Sequence, residues 1–254
     1  MARRSTRNIL RNALRPSYAR VMAGKVRQRV AGSERRRTDA IAWADARKTG
    51  PRRWCEAQDP ELWAETLEFA AGLRERAADV GARVGVDIGF GARFELLYFL
   101  TRRLDPLVVV ETGVAFGYSS TAFLTALARN GRGGRLWSSD FPYFRRDDPE
   151  ALVGALVPDE LRGQWTLRTA GDDANLPEIV AECGPIDLVH YDSDKTYAGR
   201  ERGMRTIDAH LAPGGVVLMD DIQDNLFFRD YALARGVEPM VFGTREFFVG
   251  AVGL

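Results

Sequence analysis

The chain has 254 residues, of which 45% are hydrophobic and 28% are charged, and this suits one folded domain with an extension. It contains no run of about 18 apolar residues, so no transmembrane helix is predicted. The only cysteines are Cys55 and Cys183, and the only histidines are His190 and His210. This composition excludes a disulfide framework and a zinc centre rich in cysteine or histidine.

The charge is distributed unevenly along the chain. Residues 1–53 contain 16 Lys and Arg residues and three acids, a net charge of +13. The remaining residues contain 20 basic and 32 acidic residues, a net charge of −12, and the two parts sum to the overall +1. We therefore divide the chain into a basic arm, residues 1–53, and a domain, residues 54–254.

Apolar residues recur at helical spacing within the basic arm, which predicts an N-terminal helical extension broken near Pro16. They are Leu10, Leu14, Tyr18, Val21, Met22, Val26 and Val30. A basic amphipathic helix can lie on an anionic membrane surface, and it can equally pack on a partner subunit of a homodimer. Both interpretations are open.

The arm lacks the continuous apolar segment of a secretory signal, and no nucleic-acid recognition motif accompanies its charge. We therefore expect a cytoplasmic protein, peripheral at the inner face of the membrane if the arm binds lipid. We expect no nucleic-acid partner.

Helical spacing predicts helices over 61–77 and 94–104 at the start of the domain. Strand and helix patterns then alternate. The predicted strands are 107–112, 134–140, 165–170, 186–192 and 214–221, and the predicted helices lie near 117–129, 148–156, 174–182 and 197–211. The end of the chain reads as two strands around Gly243 and Thr244. These patterns predict an α/β fold, with a Rossmann-like, doubly wound, seven-stranded and mostly parallel sheet that ends in an antiparallel hairpin.

A glycine-containing turn follows the first of these strands. Gly113 and Gly117 allow the backbone to approach a ligand closely, and ligands of open α/β sheets bind beyond the carboxyl ends of the strands. The spacing E-x-G-x-x-x-G differs from the G-x-G-x-x-G of dinucleotide-binding proteins. The turn therefore indicates either a cofactor site of another kind or a plain tight turn.

Acidic residues end the next two strands. Asp140 ends the second strand, where its carboxylate can accept the hydroxyls of a ribose or cap the following helix. Asp172 and Asp173 follow the third strand, where they can reach an adenine edge.

Three more acids, Asp192, Asp220 and Asp221, end the fourth and fifth strands, and neighbouring parallel strands bring them to one rim of the sheet. Carboxylates held together repel one another unless a cation lies among them. Oxygen ligands suit Mg²⁺ or a similar divalent ion. Aspartates also end many strands without binding metal, so both interpretations are open.

Lys195 is one of three lysines in the chain and the only one after residue 48, whereas arginine occurs 33 times. Arginine stays protonated in proteins, but a lysine near a cation can lose its proton. Lys195 is therefore a candidate general base. A surface salt bridge with Asp194 or Glu201 is the alternative, although arginine serves there equally well.

Four stretches together resemble class I S-adenosylmethionine-dependent methyltransferases, particularly the metal-dependent catechol and caffeoyl-CoA O-methyltransferase type. They are VDIGFGARF, VVVETGVAFGYSS, DLVHYDSDKTY and LAPGGVVLMDDI, in that order from about residue 85 to the end of the chain. The resemblance implies S-adenosylmethionine and Mg²⁺ or another divalent cation as cofactors. It also implies an acceptor that is a small molecule with a hydroxyl group.

The resemblance also implies a role for each matching residue. Val86 and Ile88 would line the methionine end of the cofactor, and Glu111, Gly113, Gly117 and Ser119 would surround its polar groups. Asp140 would hold the ribose, and Asp172 and Asp173 would flank the adenine. Asp192, Asp220 and Asp221 would bind the metal, Asp192 would also contribute to the cofactor site and to catalysis, and Lys195 would be the general base. The family usually has asparagine where this chain has Asp221.

The acceptor is less closely defined. The long stretch after Asp140, with Tyr143, Phe144, Arg145 and Arg146, is a candidate wall of an acceptor pocket. No clear CoA-binding pattern is present, and related bacterial proteins often methylate sugars, so a sugar or glycosylated metabolite is favoured over a catechol. An NAD(P)-dependent oxidoreductase and a membrane-docked protein without catalytic activity are the alternatives from other classes.

Overall fold

The computed structural model of the protein describes residues 2–15, 18–19, 22–23, 37–85, 91, 93–144, 148–244 and 247–254. The α-helices among these residues are α1 Ala2–Ala13, α2 Arg37–Asp45, α3 Pro51–Gln58, α4 Pro60–Val84, α5 Phe94–Leu104, α6 Tyr118–Asn130, α7 Asp172–Cys183, α8 Tyr197–Asp208 and α9 Phe227–Ala234. The strands are β1 Lys48–Thr49, β2 Val108–Thr112, β3 Arg135–Ser139, β4 Trp165–Arg168, β5 Ile186–Tyr191, β6 Leu211–Met219, β7 Met240–Thr244 and β8 Phe247–Val252. Short 3₁₀ helices cover Asp159–Gln164 and Ile222–Asp224.

The strands form one sheet in the order β1-β7-β8-β6-β5-β2-β3-β4. Only β8 runs antiparallel to its neighbours β6 and β7. The α/β fold, the mostly parallel sheet and the antiparallel C-terminal hairpin are thus confirmed. The described residues form eight strands where seven were predicted, because the two-residue strand β1 pairs with β7 outside the hairpin. So short a strand carries no periodicity of its own.

Helices cover both faces of the sheet, because the side chains of each strand alternate between two apolar clusters. Val109, Leu188 and Leu218 pack under the cluster that contains α4, α5 and α6. Val110, Val189 and Met219 face the cluster that contains α7, α8 and α9. Residues two further along, namely Glu111, His190 and Asp220, therefore point to the face covered by α4, α5 and α6.

The predicted helix over 148–156 was wrong, since this segment consists of bends and turns. Gly154 has a left-handed backbone, with φ +68°, that interrupts a helix. The amide of Gly154 donates to the carbonyl of Ala115, and that of Leu156 donates to Phe116, both at 2.9 Å. The segment therefore uses its hydrogen bonds to lie against the glycine turn after β2.

Two further differences concern the arm. Helix α3 spans the predicted boundary between residues 53 and 54, and β1 belongs to the sheet, so the chain does not change structure at that point.

Of the apolar arm residues, Leu10 and Leu14 are 64% and 85% exposed, while Asn8 and Asn12 on the other side of α1 are buried. Pro16, Val21, Val26 and Val30 lie outside the described residues. No helix in the described part of the chain combines the length and apolar character needed to cross a bilayer.

Candidate active site

The candidate site lies at the carboxyl ends of strands β2, β3, β5 and β6. Gly113 follows β2 with φ +85°, and its amide donates to the carbonyl of Ser139 at 2.8 Å. A Cβ atom on Gly113 would lie 2.6 Å from the carbonyl oxygen of Asp192. Gly117 has φ +96°, and a Cβ there would lie 2.9 Å from Cα of Gly154. Both predicted turn glycines are thus required by close packing around the turn.

Asp140 holds this turn from the end of β3. Its Oδ2 accepts the amides of Val114 at 3.1 Å and Ala115 at 2.7 Å, and its Oδ1 accepts the amide of Phe141 at 2.6 Å. The carboxylate predicted to bind ribose therefore lies at the mouth of the glycine turn and fixes the backbone there.

Glu111 lies beneath the turn, fully buried. Its Oε2 accepts the hydroxyls of Ser120 at 2.6 Å and Ser138 at 2.7 Å, which joins β2 to α6 and β3. Burial raises the pKa of Glu111 to about 7, although hydrogen bonds from Ser119, Ser120 and Ser138 lower it in part. Glu111 and Ser119, both predicted to contact the cofactor, thus belong to a buried hydrogen-bonded group at the base of the site.

The two acids that start α7 lie in different environments. Asp172 is buried and accepts the hydroxyls of Ser139, at 2.6 Å, and of Ser193. Burial raises its pKa to about 6. Asp173 is exposed and pairs with Nε of Arg202 at 3.5 Å. The two predicted adenine neighbours therefore differ in burial, although both line the same cavity. Val86 and Ile88, predicted at the methionine end, lie outside the described residues.

The acidic rim contains Asp192, Asp220, Asp221 and Lys195. Nζ of Lys195 lies 2.9 Å from Oδ1 of Asp192 and also pairs with Oδ2 of Asp221. The amide of Asp220 donates to the carbonyl of Tyr191 at 3.0 Å, which places Asp220 beside Asp192. The four predicted side chains are therefore gathered at one rim.

The charges of this rim are strongly coupled. Burial raises the pKa values of Asp192 and Asp220, and each carboxylate raises them further by repelling its acidic neighbours. Burial by itself lowers the pKa of Lys195, but the charges of Asp192 and Asp221 outweigh it, so the net shift is upward. Lys195 is therefore protonated in this arrangement and offsets part of the negative charge of the rim.

Two rim residues were not predicted from the sequence. Arg200 is fully buried, and its guanidinium donates to the carbonyls of Asp220 at 2.8 Å and Asp221 at 2.9 Å. Its spacing to Met204 and Ile207 on the buried side of α8 was the available signal. His190 is 1% exposed, and one of its ring nitrogens lies with carboxylate oxygens of Asp192 and Asp220 in a group no more than 4.8 Å across. Burial lowers the pKa of His190 to about 4, so the ring is neutral.

Comparisons with known proteins relate the chain to methyltransferases. Residues 110–222 match the family described as "Methyltransferase domain". No curated protein sequence matches the chain. An O-methyltransferase from Bacillus cereus is similar in structure, with a TM-score of 0.55, 18% identity and coverage of 72% of this chain and 90% of that one. The O-methyltransferase TomG from Streptomyces achromogenes gives a TM-score of 0.54, 18% identity and coverage of 76% and 98%. A methyltransferase from Geobacter sulfurreducens has a TM-score of 0.53 and 15% identity, and the match covers 71% of this chain and 88% of that one. At these identities the structural likeness is evidence for the fold.

Proposed function

We propose that the chain is a class I S-adenosylmethionine-dependent methyltransferase that transfers the methyl group of S-adenosylmethionine to a hydroxyl oxygen of a small acceptor. The match of residues 110–222 to a methyltransferase domain and the shared fold support this proposal. The observation that carries this proposal is the rim of Asp192, Asp220 and Lys195 packed directly against the glycine turn. The similar structures from Bacillus cereus and Streptomyces achromogenes are both described as O-methyltransferases.

In this reaction the acceptor oxygen forms a bond to the methyl carbon as the bond from that carbon to sulfur breaks. The hydroxyl proton leaves, and the products are a methyl ether and S-adenosylhomocysteine. The protein has to hold the two reactants in line and accept the proton. We place the cofactor across the glycine turn, with Asp140 towards its ribose, and the acceptor above the rim.

The rim fits a divalent cation, because hard carboxylate oxygens of Asp192 and Asp220 lie close together and burial disfavours their ionised form without a positive partner. A bound cation, Mg²⁺ or another divalent ion, would lower the pKa of the acceptor hydroxyl and fix its oxygen. Asp192 and Asp220 would hold that ion. A cation bound to Asp192 would offset the negative charge that raises the pKa of Lys195, so the pKa of Lys195 would fall. We therefore assign Lys195 the role of proton acceptor.

The substitution Lys195→Arg tests that role. The arginine keeps the positive charge at the rim but cannot give up a proton at neutral pH. We expect S-adenosylmethionine binding by isothermal titration to stay within about twofold and turnover to fall by about 100-fold or more. Lys48→Arg, on the edge strand, is the matched control. Full turnover by Lys195→Arg would show that only the charge is needed.

A sugar or glycosylated metabolite remains our proposal for the acceptor, with a catechol as the alternative. Tyr143 stacks on Phe116 of the glycine turn with ring centroids 5.3 Å apart, which puts the segment after β3 beside the site. Mass spectrometry of products from matched panels of glycosides and catechols tests the proposal. Methylation of catechols alone would reverse it, and transfer to neither panel from a protein that binds S-adenosylmethionine would exclude both acceptor classes tested.

We further propose that the basic arm docks on an anionic membrane surface. Helix α1 buries Asn8 and Asn12, and Nδ2 of Asn12 donates to the carbonyl of Phe144 at 2.9 Å. The opposite side of the helix carries the exposed Leu10 and Leu14 beside the exposed Arg7 and Arg11. Leucines that can insert among lipids and arginines that can pair with phosphates complement an anionic bilayer, and the arm's net charge of +13 adds to this attraction.

Co-sedimentation with vesicles tests the docking. We expect binding to phosphatidylglycerol-containing vesicles and none to phosphatidylcholine alone, with binding lost in Leu10→Asp/Leu14→Asp. Leu233→Asp, an equally solvent-facing leucine on α9 that is 69% exposed, is the control and should bind normally. A dimer in light scattering that the double variant dissociates would identify a second copy of the chain as the occupant instead. Failure of the wild type to bind would also overturn the proposal.

A further inference from the structure

His190 has an unusual environment for a histidine. It lies in the interior of β5, 1% exposed, with its ring 5.7 Å from that of Phe123. Its Nδ1 has no hydrogen-bond partner among the described residues. A buried polar atom without a partner is destabilising, so such atoms in native proteins usually meet a ligand, an ion or a water.

The strand geometry directs this ring towards the rim. His190 and Asp192 are two residues apart, so their side chains leave β5 on the same face. His190 pairs with Leu218 of β6, and Asp220 follows two residues later on that face. One ring nitrogen of His190 and one carboxylate oxygen from each of Asp192 and Asp220 all lie within 4.8 Å of one another. Three donors at this separation can converge on one ion.

Asp221, the third acid of the rim, is engaged elsewhere. Its Oδ2 pairs with Lys195, and its Oδ1 accepts Nε2 of Gln223 at 2.9 Å. Its backbone is left-handed, with φ +50°, and the buried Arg200 holds its carbonyl at 2.9 Å. Both carboxylate oxygens of Asp221 are thus engaged by Lys195 and Gln223, and the group of ligand atoms within 4.8 Å of one another comprises His190, Asp192 and Asp220.

We propose that His190, rather than Asp221, is the third protein ligand of the metal site formed by Asp192 and Asp220. This inference rests on the proposed function, because it concerns the ion of the same site. One imidazole nitrogen with two carboxylates suits Mn²⁺, Fe²⁺, Co²⁺ or Zn²⁺ better than Mg²⁺, which binds mostly oxygen. The chain's preference would therefore lie with transition-metal ions.

Pulsed electron paramagnetic resonance of the protein loaded with Mn²⁺ tests the ligand directly. The chain contains only two histidines, so an imidazole nitrogen coupling to Mn²⁺ can come only from His190 or His210. We expect this coupling in the wild type, its change on labelling with ¹⁵N-histidine, and its persistence in His210→Gln, since His210 is exposed at the end of α8. The wild-type measurement needs no variant of the buried residue.

Isothermal titration with Mn²⁺ supplies the second measurement. We expect His190→Gln to weaken Mn²⁺ binding by about tenfold or more, while Asp221→Asn stays within about threefold and keeps the nitrogen coupling. Thermal unfolding verifies that each variant is folded. Mn²⁺ bound to the wild type without nitrogen coupling, or a loss of binding in Asp221→Asn but not in His190→Gln, would overturn the proposal.

Failure of this inference is distinguishable from failure of the proposed function. Binding of S-adenosylmethionine and methyl transfer with oxygen-only Mn²⁺ coordination would reject the histidine ligand and keep the methyltransferase. Nitrogen-coordinated Mn²⁺ in a protein that neither binds S-adenosylmethionine nor transfers methyl would keep the metal site and reject the methyltransferase.

Discussion

Gly113 lies where the glycine turn contacts the acidic rim. A methyl group added at this residue should disrupt that contact. Gly113→Ala places a Cβ 2.6 Å from the carbonyl oxygen of Asp192 at a backbone φ of +85°. We expect the free energy of unfolding to fall by about 3 kcal/mol, because a strained conformation and a backbone clash add together. Urea unfolding followed by tryptophan fluorescence measures this.

Gly131→Ala is the matched control. Gly131 also has a positive φ, +70°, but a Cβ there meets nothing within 4 Å. Its substitution should cost only about 1 kcal/mol, the strain of the backbone alone. Equal losses in the two variants would mean that contact between the turn and Asp192 contributes nothing to stability.

The residues of the site were predictable where they end strands. Asp192, Asp220 and Lys195 follow recognisable strands, so the parallel arrangement alone brings them to one rim. The direction of Asp221 was not predictable, because it depends on a left-handed backbone and on Gln223. Arg200 and His190 were missed because composition assigns arginine to the surface and because two histidines suggested no metal site.

Helices α4 and α5 are joined by a charged cluster on the face of the sheet opposite α8. Nε of Arg102 lies 2.9 Å from Oε1 of Glu65, and the hydroxyl of Tyr98 donates to the same carboxylate at 2.5 Å. The hydrogen bond from Arg102 is the main reason that the pKa of Glu65 is lowered to about 2. A lowered pKa in the folded state gives stability that is present above the ordinary pKa of 4.5 and is lost as the pH falls through about 2.

Glu65→Gln should therefore remove part of the acid sensitivity of the protein. We expect a loss of about 1–2 kcal/mol at pH 7, after allowance for solvent screening, and a smaller difference from the wild type at pH 3. Urea unfolding across this range measures it, with Glu68→Gln, an exposed acid on the same helix, as control. A difference that does not change with pH would contradict the assignment.

Element boundaries were predictable where the local sequence decides them. Helix α5 begins and ends at the predicted residues, 94 and 104. The predicted helix over 148–156 was wrong, because the amides of Gly154 and Leu156 donate to Ala115 and Phe116, which are distant in sequence. Strand β6 begins at Leu211, earlier than predicted, because Leu211 pairs with Ile186 through an irregularity in the register.

The whole molecule depends on part of its arm. Helix α2 buries Ala40 and Ala44, and Trp43 packs edge-on against Phe228 with ring centroids 6.2 Å apart. A chain that starts at residue 37 keeps α2 and β1, so its free energy of unfolding should be close to that of the full chain. A chain that starts at residue 51 should lose about 3 kcal/mol or more. Equal free energies of unfolding for the two shortened chains would show that α2 and β1 do not contribute to stability.

Strand β1 also bears on the order in which the protein is made. The hairpin of β7 and β8 is the last part of the sheet to be synthesised, and β7 would present an open row of backbone groups to other chains. Its cover, Lys48–Thr49, is by then already available. That cover is only two residues long and carries a lysine, and both properties discourage a further strand from adding to it. When β7 and β8 are synthesised, β1 is therefore already available to pair with β7 and to cover its free backbone edge.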